Sequence, residues 1–306
     1  MATRYLKSRA RLLPSLLLIV FLRVACLTQD LEPRAFSRAP VGTQNIVVSY
    51  GYQSGDVFTD TSLPLSDVTV SLNSGSMGYA RTFGLFGKQA NFAASAPYIY
   101  GHVRGRVFEQ ETAVTRSGLA DLRFRFSTML VGAPALAPKE FAAHKPKTLV
   151  GVSLSVIAPT GQYDPARLVN IGSNRWSFKP EIGVAKPMGR WAVEFAVGMW
   201  FFTPNNNFFG GTKREQKPLL TLQTHVVYTI KPRMWLAFSG TYFNGGRTVI
   251  NHVLNADLQS NSRYGATFSY PLNQRQSIKA SFMRGLTTRI GGNLNSFTVG
   301  WQYTWF

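Results

Sequence analysis

The chain ends on Phe297-Thr298-Val299-Gly300-Trp301-Gln302-Tyr303-Thr304-Trp305-Phe306, where large apolar side chains alternate with small or polar ones up to Trp305. Alternation with a period of two is typical of a β-strand that has one apolar and one polar face. In a membrane β-barrel the apolar face meets lipid and the polar face meets a wet lumen. We therefore predict that this stretch is the closing strand of such a barrel. The alternative is the last strand of a soluble β-sandwich.

The same stretch carries a second pattern, in which a polar residue, a glycine and two aromatic residues follow in order. Thr298, Gly300, Tyr303 and Trp305 have the spacing of the C-terminal signal by which outer-membrane proteins are recognised for insertion. Phe306 follows one residue past that signal and falls on the luminal phase. We assign Gly300, Tyr303, Trp305 and Phe306 to an insertion signal, and expect the barrel-assembly machinery to be a partner.

The N-terminus has the features of an export signal. Four basic residues precede the apolar run 12–22, which has the length of a signal-peptide core and is too short to span a bilayer. We predict cleavage after Cys26, so that residues 1–26 form the signal peptide. Lipidation of Cys26 is the alternative, but Arg23 stands where a lipidation signal has an aliphatic residue.

Removal of the signal peptide limits the chemistry and the membrane topology that the mature chain can have. Cys26 is the only cysteine, so the mature chain has no disulfide, thiol catalysis or cysteine metal site. No later stretch has the roughly 18 apolar residues that a transmembrane helix needs. A membrane protein without such helices must be a closed barrel, because only closure satisfies every backbone donor and acceptor in lipid.

Segments with strand composition recur along the mature chain in an even number, which returns both termini to the periplasmic side. We predict an all-β fold, a transmembrane antiparallel up-and-down β-barrel of about 12 strands. The barrel spans residues 43–306 and follows an N-terminal periplasmic segment, 27–42. The strand segments are 43–53, 67–83, 88–103, 118–131, 147–158, 174–186, 190–203, 218–230, 233–245, 261–271, 275–287 and 295–306.

Short turns and long loops alternate between these segments, as periplasmic turns and extracellular loops do in barrels. The long loops are predicted at 158–173, 203–217 and 246–260. The connection 132–146 breaks the alternation, and we interpret it as an extended periplasmic turn with one short helix. The sequence leaves open whether residues 30–40 plug the lumen or lie in the periplasm.

The strand phase assigns polar side chains to the lumen. A charge on the lipid face at mid-bilayer would cost about 2–4 kcal/mol, so charged residues within strands must point inward if the barrel is correct. The luminal candidates for solute selectivity are Arg123, Arg125, Lys179, Glu181, Glu194, Gln223, His225 and Lys279.

The chain is strongly basic, with a formal net charge of +19. Loss of residues 1–26 removes five basic residues and no acid, which leaves +14. Nucleic-acid binding does not fit an exported chain without a basic tail or a recognisable motif. Two interpretations remain: surface cations that pair with lipopolysaccharide phosphates, and luminal cations that favour anions. Alternatively, Glu181 and Glu194 pair with those cations in a packed interior.

No pattern in the sequence indicates catalysis. The four histidines lack metal-ligand spacing, and neither GxSxG nor a phosphate-binding GK[ST] loop occurs. We therefore predict no enzyme activity, no metal and no cofactor.

Four runs of the sequence are similar to a known family, and the similarity covers nearly all of the mature chain. They are Leu31–Phe36, Ala158–Pro165, Gly172–Glu181 and Asn244–Thr248. They resemble the family of outer-membrane transporters named for the meta-pathway of phenol degradation. The resemblance implies an outer-membrane β-barrel and the passage of small, aromatic molecules.

Two functions follow as hypotheses. The first is a bacterial outer-membrane channel for passive passage of small solutes, anionic or aromatic, with outer-membrane lipid and lipopolysaccharide around it. The second is a non-conducting interaction or scaffold barrel that acts through its long loops.

Overall fold

The computed structural model describes residues 32–58, 65–107, 110–144 and 147–306. The predicted signal peptide lies outside these residues. Within them, no helix is long and apolar enough to cross a membrane.

Strands make up most of the described chain, because alternating apolar and polar residues recur along it. One six-residue helix, α1, spans Pro138–Ala143. The strands are β1 Gln44–Phe58, β2 Leu65–Leu85, β3 Lys88–Val107, β4 Gln110–Leu119, β5 Arg123–Val131, β6 Leu149–Ile157, β7 Ser177–Met188, β8 Trp191–Phe202, β9 Asn205–Phe208, β10 Thr212–Gln216, β11 Leu219–Lys231, β12 Met234–Gly245, β13 Thr248–Ile250, β14 Val253–Leu254, β15 Gln259–Pro271, β16 Gln276–Thr287 and β17 Gly291–Trp305.

Thirteen of these strands form one antiparallel sheet that closes on itself. The first strand pairs with the last over the full length of both, from Gln44 opposite Trp305 to Phe58 opposite Gly291. On its other edge β1 pairs with β2, which pairs with β3. The predicted closed barrel is therefore confirmed, and β17 is its closing strand.

Two of the thirteen strands share one position in the wall. Residues 98–107 of β3 pair with β4, and residues 90–95 of β3 pair with β5. The barrel thus has 12 positions, as predicted. The predicted segment 118–131 is wrong in detail, because residues 120–122 lie outside the ladder and separate β4 from β5.

The two ends of the barrel differ. We call the end with the short connections the turn end. There β7 and β8 join through Gly189 (φ +64°). The longer connection 132–148 at this end contains α1, the short helix that was predicted. The opposite end, the loop end, carries the long connections. There β9, β10, β13 and β14 form a separate four-stranded sheet. The sequence predicted only loops at these positions, because strands of two to five residues are too short to show a periodic pattern.

The two faces of the wall follow the predicted phase. In β8, Trp191, Phe195 and Phe201 are exposed on the outer surface, whereas Glu194 and Trp200 are buried inside. The closing strand behaves in the same way: its outward residues Phe297 and Trp301 are exposed, and Gln302 lines an interior cavity. Strand parity therefore places the polar side chains of the wall that face the lumen.

Candidate functional site in the barrel lumen

A buried group of charges occupies one wall of the lumen, centred on Glu181. Lys179 and Glu181 lie two residues apart on β7 and so share its inner face; the Lys179 Nζ is 3.0 Å from Glu181 Oε2. Arg125 of β5 places Nη2 3.1 Å from Glu181 Oε1. Gln223 of β11 donates from Nε2 to Glu181 Oε2 at 3.3 Å. The sequence assigned all four residues to the lumen, and the structure brings them together.

A glycine makes room for this group. A Cβ atom at Gly198 of β8 would lie 3.2 Å from Cδ of Lys179 and 3.1 Å from Oγ1 of Thr221. The Lys179 ammonium lies 5.4 Å from the centre of the Trp200 ring, within the range of a cation–π contact. The lysine is thus held between a carboxylate and an aromatic face.

Residues 32–42, which we call the plug, enter the barrel from the turn end. Gln89 of β3 holds this segment twice, since its Oε1 accepts from the Ala39 N–H at 2.9 Å and its Nε2 donates to the Ser37 carbonyl at 3.1 Å. The Val41 N–H donates to the Leu136 carbonyl at 2.8 Å. The sequence assigned 27–42 to a periplasmic segment; its described part lies against the inner wall of the barrel.

The ring of Phe36 anchors the plug in a notch of the wall. Gly151 of β6 pairs with Gly183 of β7, so two missing side chains adjoin. A Cβ atom at Gly151 would lie 2.6 Å from the Phe36 ring, and one at Gly183 would lie 2.2 Å from it. The rest of this notch, the Phe36 notch, is apolar and consists of Met129, Ala133, Leu149, Ala185 and Ala196.

Polar contacts hold the plug on either side of that ring. The backbone N–H of Arg34 donates to Glu194 Oε2 at 2.7 Å, and the Arg34 guanidinium lies 5.6 Å from the Trp235 ring centre. Arg34 has a positive φ of 68°, which turns the chain so that Glu32 reaches Arg125, with 3.3 Å between Oε2 and Nη1. Glu194, a predicted luminal residue, therefore binds the plug.

Between the plug and the opposite wall lies a cavity of about 390 Å³. Its wall is mostly amide and hydroxyl side chains from β1, β2, β3, β5, β16 and β17. Four charged residues border it: one carboxylate, Glu32, and three cations, Arg34, Arg125 and Lys279. The amide and hydroxyl residues that line it are Ser37, Asn45, Ser49, Thr82, Gln89, Asn91, Ser127, Thr128, Ser281, Thr298 and Gln302.

Of the remaining predicted candidates, some line this cavity and others do not. Lys279 lines it and approaches the Trp235 ring to 5.9 Å. His225 is buried on β11, and its Nδ1 lies 2.8 Å from the Ser239 hydroxyl. Arg123 begins β5 and pairs with Ile157, nearer the loop end than Arg125. Gly300 lines the cavity wall, while Phe306 lies beyond the end of β17 and is exposed.

At the loop end, residues 158–173 are fixed to the wall by Asp121. Its Oδ1 accepts from the Gly161 N–H at 2.9 Å, and its Oδ2 accepts from the Ser173 N–H at 2.9 Å and the Ser173 hydroxyl at 2.5 Å. The Gln162 N–H donates to the Leu119 carbonyl at 2.9 Å and so continues the edge of β4. This loop therefore lies along the edge of β4 that faces away from β3.

The small sheet covers the loop end further. Leu168, Phe208 and Ile250 form a buried apolar cluster between it and the 158–173 loop. Burial lowers the pKa of the Arg214 guanidinium, whose charge Asp257 partly compensates. The Arg214 guanidinium lies 4.9 Å from the Phe208 ring. The loops thus form a packed cap.

Sequence reasoning missed Phe36, Gly151 and Gly183. The available signal was a glycine inside each of two predicted strands, since an interior glycine often marks the close approach of another group. The identity of that group could not be inferred, because the contacting residue lies far away in the chain.

A sequence model of the family described as "Putative MetA-pathway of phenol degradation" matches residues 48–305. A search of curated proteins found no match. Among solved structures, an outer membrane channel from Pseudomonas putida F1 is similar with a TM-score of 0.76 and 20% identity, covering 90% of this chain and 100% of that one. The beta domain of a Bordetella autotransporter, BrkA, is similar with a TM-score of 0.52 and 12% identity, covering 86% and 100%. These likenesses show the fold.

Proposed function

Because this chain belongs to the family described as "Putative MetA-pathway of phenol degradation", we propose that it is an outer-membrane channel for the passive passage of small solutes and not an enzyme. The proposal is supported by the closed barrel and by the similarity of its fold to an outer membrane channel. It places the aromatic outer surface in lipid, with the loop end toward the lipopolysaccharide.

The observation that carries this proposal is the polar cavity between the plug and the wall. Its volume of about 390 Å³ suits a small molecule, and its amide and hydroxyl side chains can replace the hydration shell of a polar solute. Three cations and one carboxylate border it, so its field favours anions. A solute that crosses the barrel would pass along this cavity.

The assembly partners are part of the same proposal. The barrel-assembly machinery would recognise Gly300, Tyr303, Trp305 and Phe306 at the chain end. Of these, Tyr303 and Trp305 have their ring centres 5.8 Å apart, with the ring planes tilted by 33°.

Single-channel recording in planar bilayers tests the proposed function. We expect discrete current steps and, under a salt gradient, a reversal potential on the anion-selective side. Lys279→Gln should move the reversal potential toward zero, because Lys279 lines the cavity. Arg123→Ala with Arg125→Ala tests the two arginines of β5 in the same way. The absence of both current and solute flux into liposomes would refute the proposal.

One observation favours the second function, a non-conducting scaffold barrel. The loop end is covered by the packed cap, in which the side chains of Leu168, Phe208 and Ile250 are buried. If the cap never opens, the barrel would show no flux, and its exposed loops would be the functional surface. Current recordings with the cap intact and with loop 158–173 shortened distinguish the two functions.

A further inference from the structure

Phe36 and Glu32 of the plug contact the same side chain of the wall. The Arg125 guanidinium carbon lies 5.3 Å from the centre of the Phe36 ring. Its Nη1 lies 3.3 Å from Glu32 Oε2. One guanidinium therefore receives an aromatic ring and a carboxylate from the plug. A small aromatic carboxylate carries the same two groups in one molecule.

The Phe36 notch is shaped for a flat ring. The paired glycines 151 and 183 leave no side chain where the ring lies, since a Cβ atom at either would come within 2.6 Å of it. Met129, Leu149 and Ala185 complete an apolar rim. A ring of the size of phenyl fills this space and is closed over by the guanidinium.

The notch adjoins the cavity of the proposed pathway. Arg125 and Met129 line the cavity and also contact Phe36 or its cluster. Arg125 would keep its position without the plug, because Glu181 and Ser153 of the wall hold its Nη2 at 3.1 and 3.3 Å. A solute in the cavity thus meets a guanidinium that is already oriented.

We propose that the Phe36 notch is a binding site for small aromatic carboxylates, and that the plug occupies it with Phe36 and Glu32 as a built-in substitute for such a solute. The site rests on the proposed channel function in one respect, namely that solutes reach the cavity. A neutral phenol would fill the notch but leave Arg125 without the carboxylate that Glu32 now supplies. An aliphatic carboxylate would pair with Arg125 but lose the cation–π contact.

The test uses full-length protein with both plug groups removed, Glu32→Ala with Phe36→Ala. Thermal unfolding is measured with benzoate, cyclohexanecarboxylate and benzyl alcohol, since a ligand that binds the folded state raises the unfolding temperature. We expect benzoate to bind the variant at least roughly threefold more tightly than cyclohexanecarboxylate, the lower range of a partly buried cation–π contact. Benzyl alcohol should bind more weakly than benzoate.

The matched control adds Gly183→Val to the same variant, which fills the notch and should abolish benzoate binding. Equal binding of benzoate and cyclohexanecarboxylate, or unchanged benzoate binding after Gly183→Val, would overturn the site. Gel mobility with and without heating reports whether each variant is a folded barrel. If the double variant does not fold, the single variant Phe36→Ala, which empties the notch, replaces it and must show the same order of ligands.

Failure of the site and failure of the channel give different results. Ring-selective binding without current in any variant refutes the channel and leaves the site. Current without ring-selective binding refutes the site alone.

Discussion

Glu181 joins three side chains of the barrel wall inside the lumen. It accepts from Lys179, Arg125 and Gln223, and its side chain is only 5% exposed. Two cations around one carboxylate leave an excess positive charge in the lumen. The Glu32 carboxylate of the plug compensates part of this charge. The lumen therefore combines a fixed ion-pair network with a carboxylate that belongs to a different segment.

Removal of the central carboxylate tests that network. Glu181→Gln leaves the buried Lys179 and the half-buried Arg125 with reduced compensation, and we expect the free energy of unfolding to fall by about 3–5 kcal/mol. Urea titration of the barrel in lipid vesicles measures this quantity. Glu215→Gln is the matched control, because Glu215 pairs with Lys213 on the exposed small sheet and should leave unfolding unchanged. Equal effects of both changes would contradict the assignment.

The paired glycines make a second prediction at the same scale. Gly183→Ala places a methyl group where the Phe36 ring lies, and such overpacking costs about 1–3 kcal/mol. The cost should appear as weaker docking of the plug, measured as faster hydrogen exchange at the Arg34 and Ala39 amides. Gly75→Ala, at a position with no atom within 4 Å of the added methyl, serves as the control. Unchanged exchange in Gly183→Ala would show that the ring does not depend on the glycine.

Among the described strands of the barrel, β4 lies at an edge of the sheet. Strands β4 and β5 pair with different parts of β3, and the loop 158–173 lies along the edge of β4. Asp121, in the break between the two strands, accepts three hydrogen bonds from that loop. A loop thus completes the wall where the ladder is interrupted.

Asp121→Asn should release this loop, since an amide presents one acceptor oxygen where the carboxylate presents two. We expect limited proteolysis to cut within 158–173 in the variant and not in the parent, while the barrel stays folded. Asp67→Asn, which alters an exposed ion pair with Arg106, should leave the loop resistant. Cleavage at equal rates in both variants would exclude a specific role for Asp121.

The sequence predicted the strands of the barrel wall better than the position of the plug inside the barrel. Parity along β7 placed Lys179 and Glu181 inside, because each strand has two faces and only one can face lipid. The plug has no periodicity, so its place depends on contacts of Phe36 with Gly151 and Gly183, which no local pattern shows. The break at 120–122 was missed for a similar reason: the apolar and polar residues around it continue the alternation.

For the whole molecule, the plug decides how much of the barrel interior is open. It lies against β3 and β6–β8, and the cavity remains on the side of β1, β2, β16 and β17. The two halves of the lumen therefore differ: one is packed around Phe36, and the other is lined by amides and hydroxyls.

Deletion of residues 32–40 should join these halves. We expect a larger single-channel conductance than that of the full-length protein, because the packed half becomes accessible to ions. Phe86→Ala, which changes an exposed side chain at the same end of the barrel, should leave conductance unchanged. If the deletion variant conducts no better, the limiting constriction lies in the cap at the loop end.

The pairing of β1 with β17 has a consequence for biogenesis. These strands are the first and last of the barrel, and they are in register from Gln44–Trp305 to Phe58–Gly291. The wall consequently cannot close until β17 has been synthesised and exported. Until then both strands expose unpaired edges, which are sites of aggregation. Loss of residues 302–305 would remove ladder pairs at the seam itself, because these residues pair with residues 44–47 of β1.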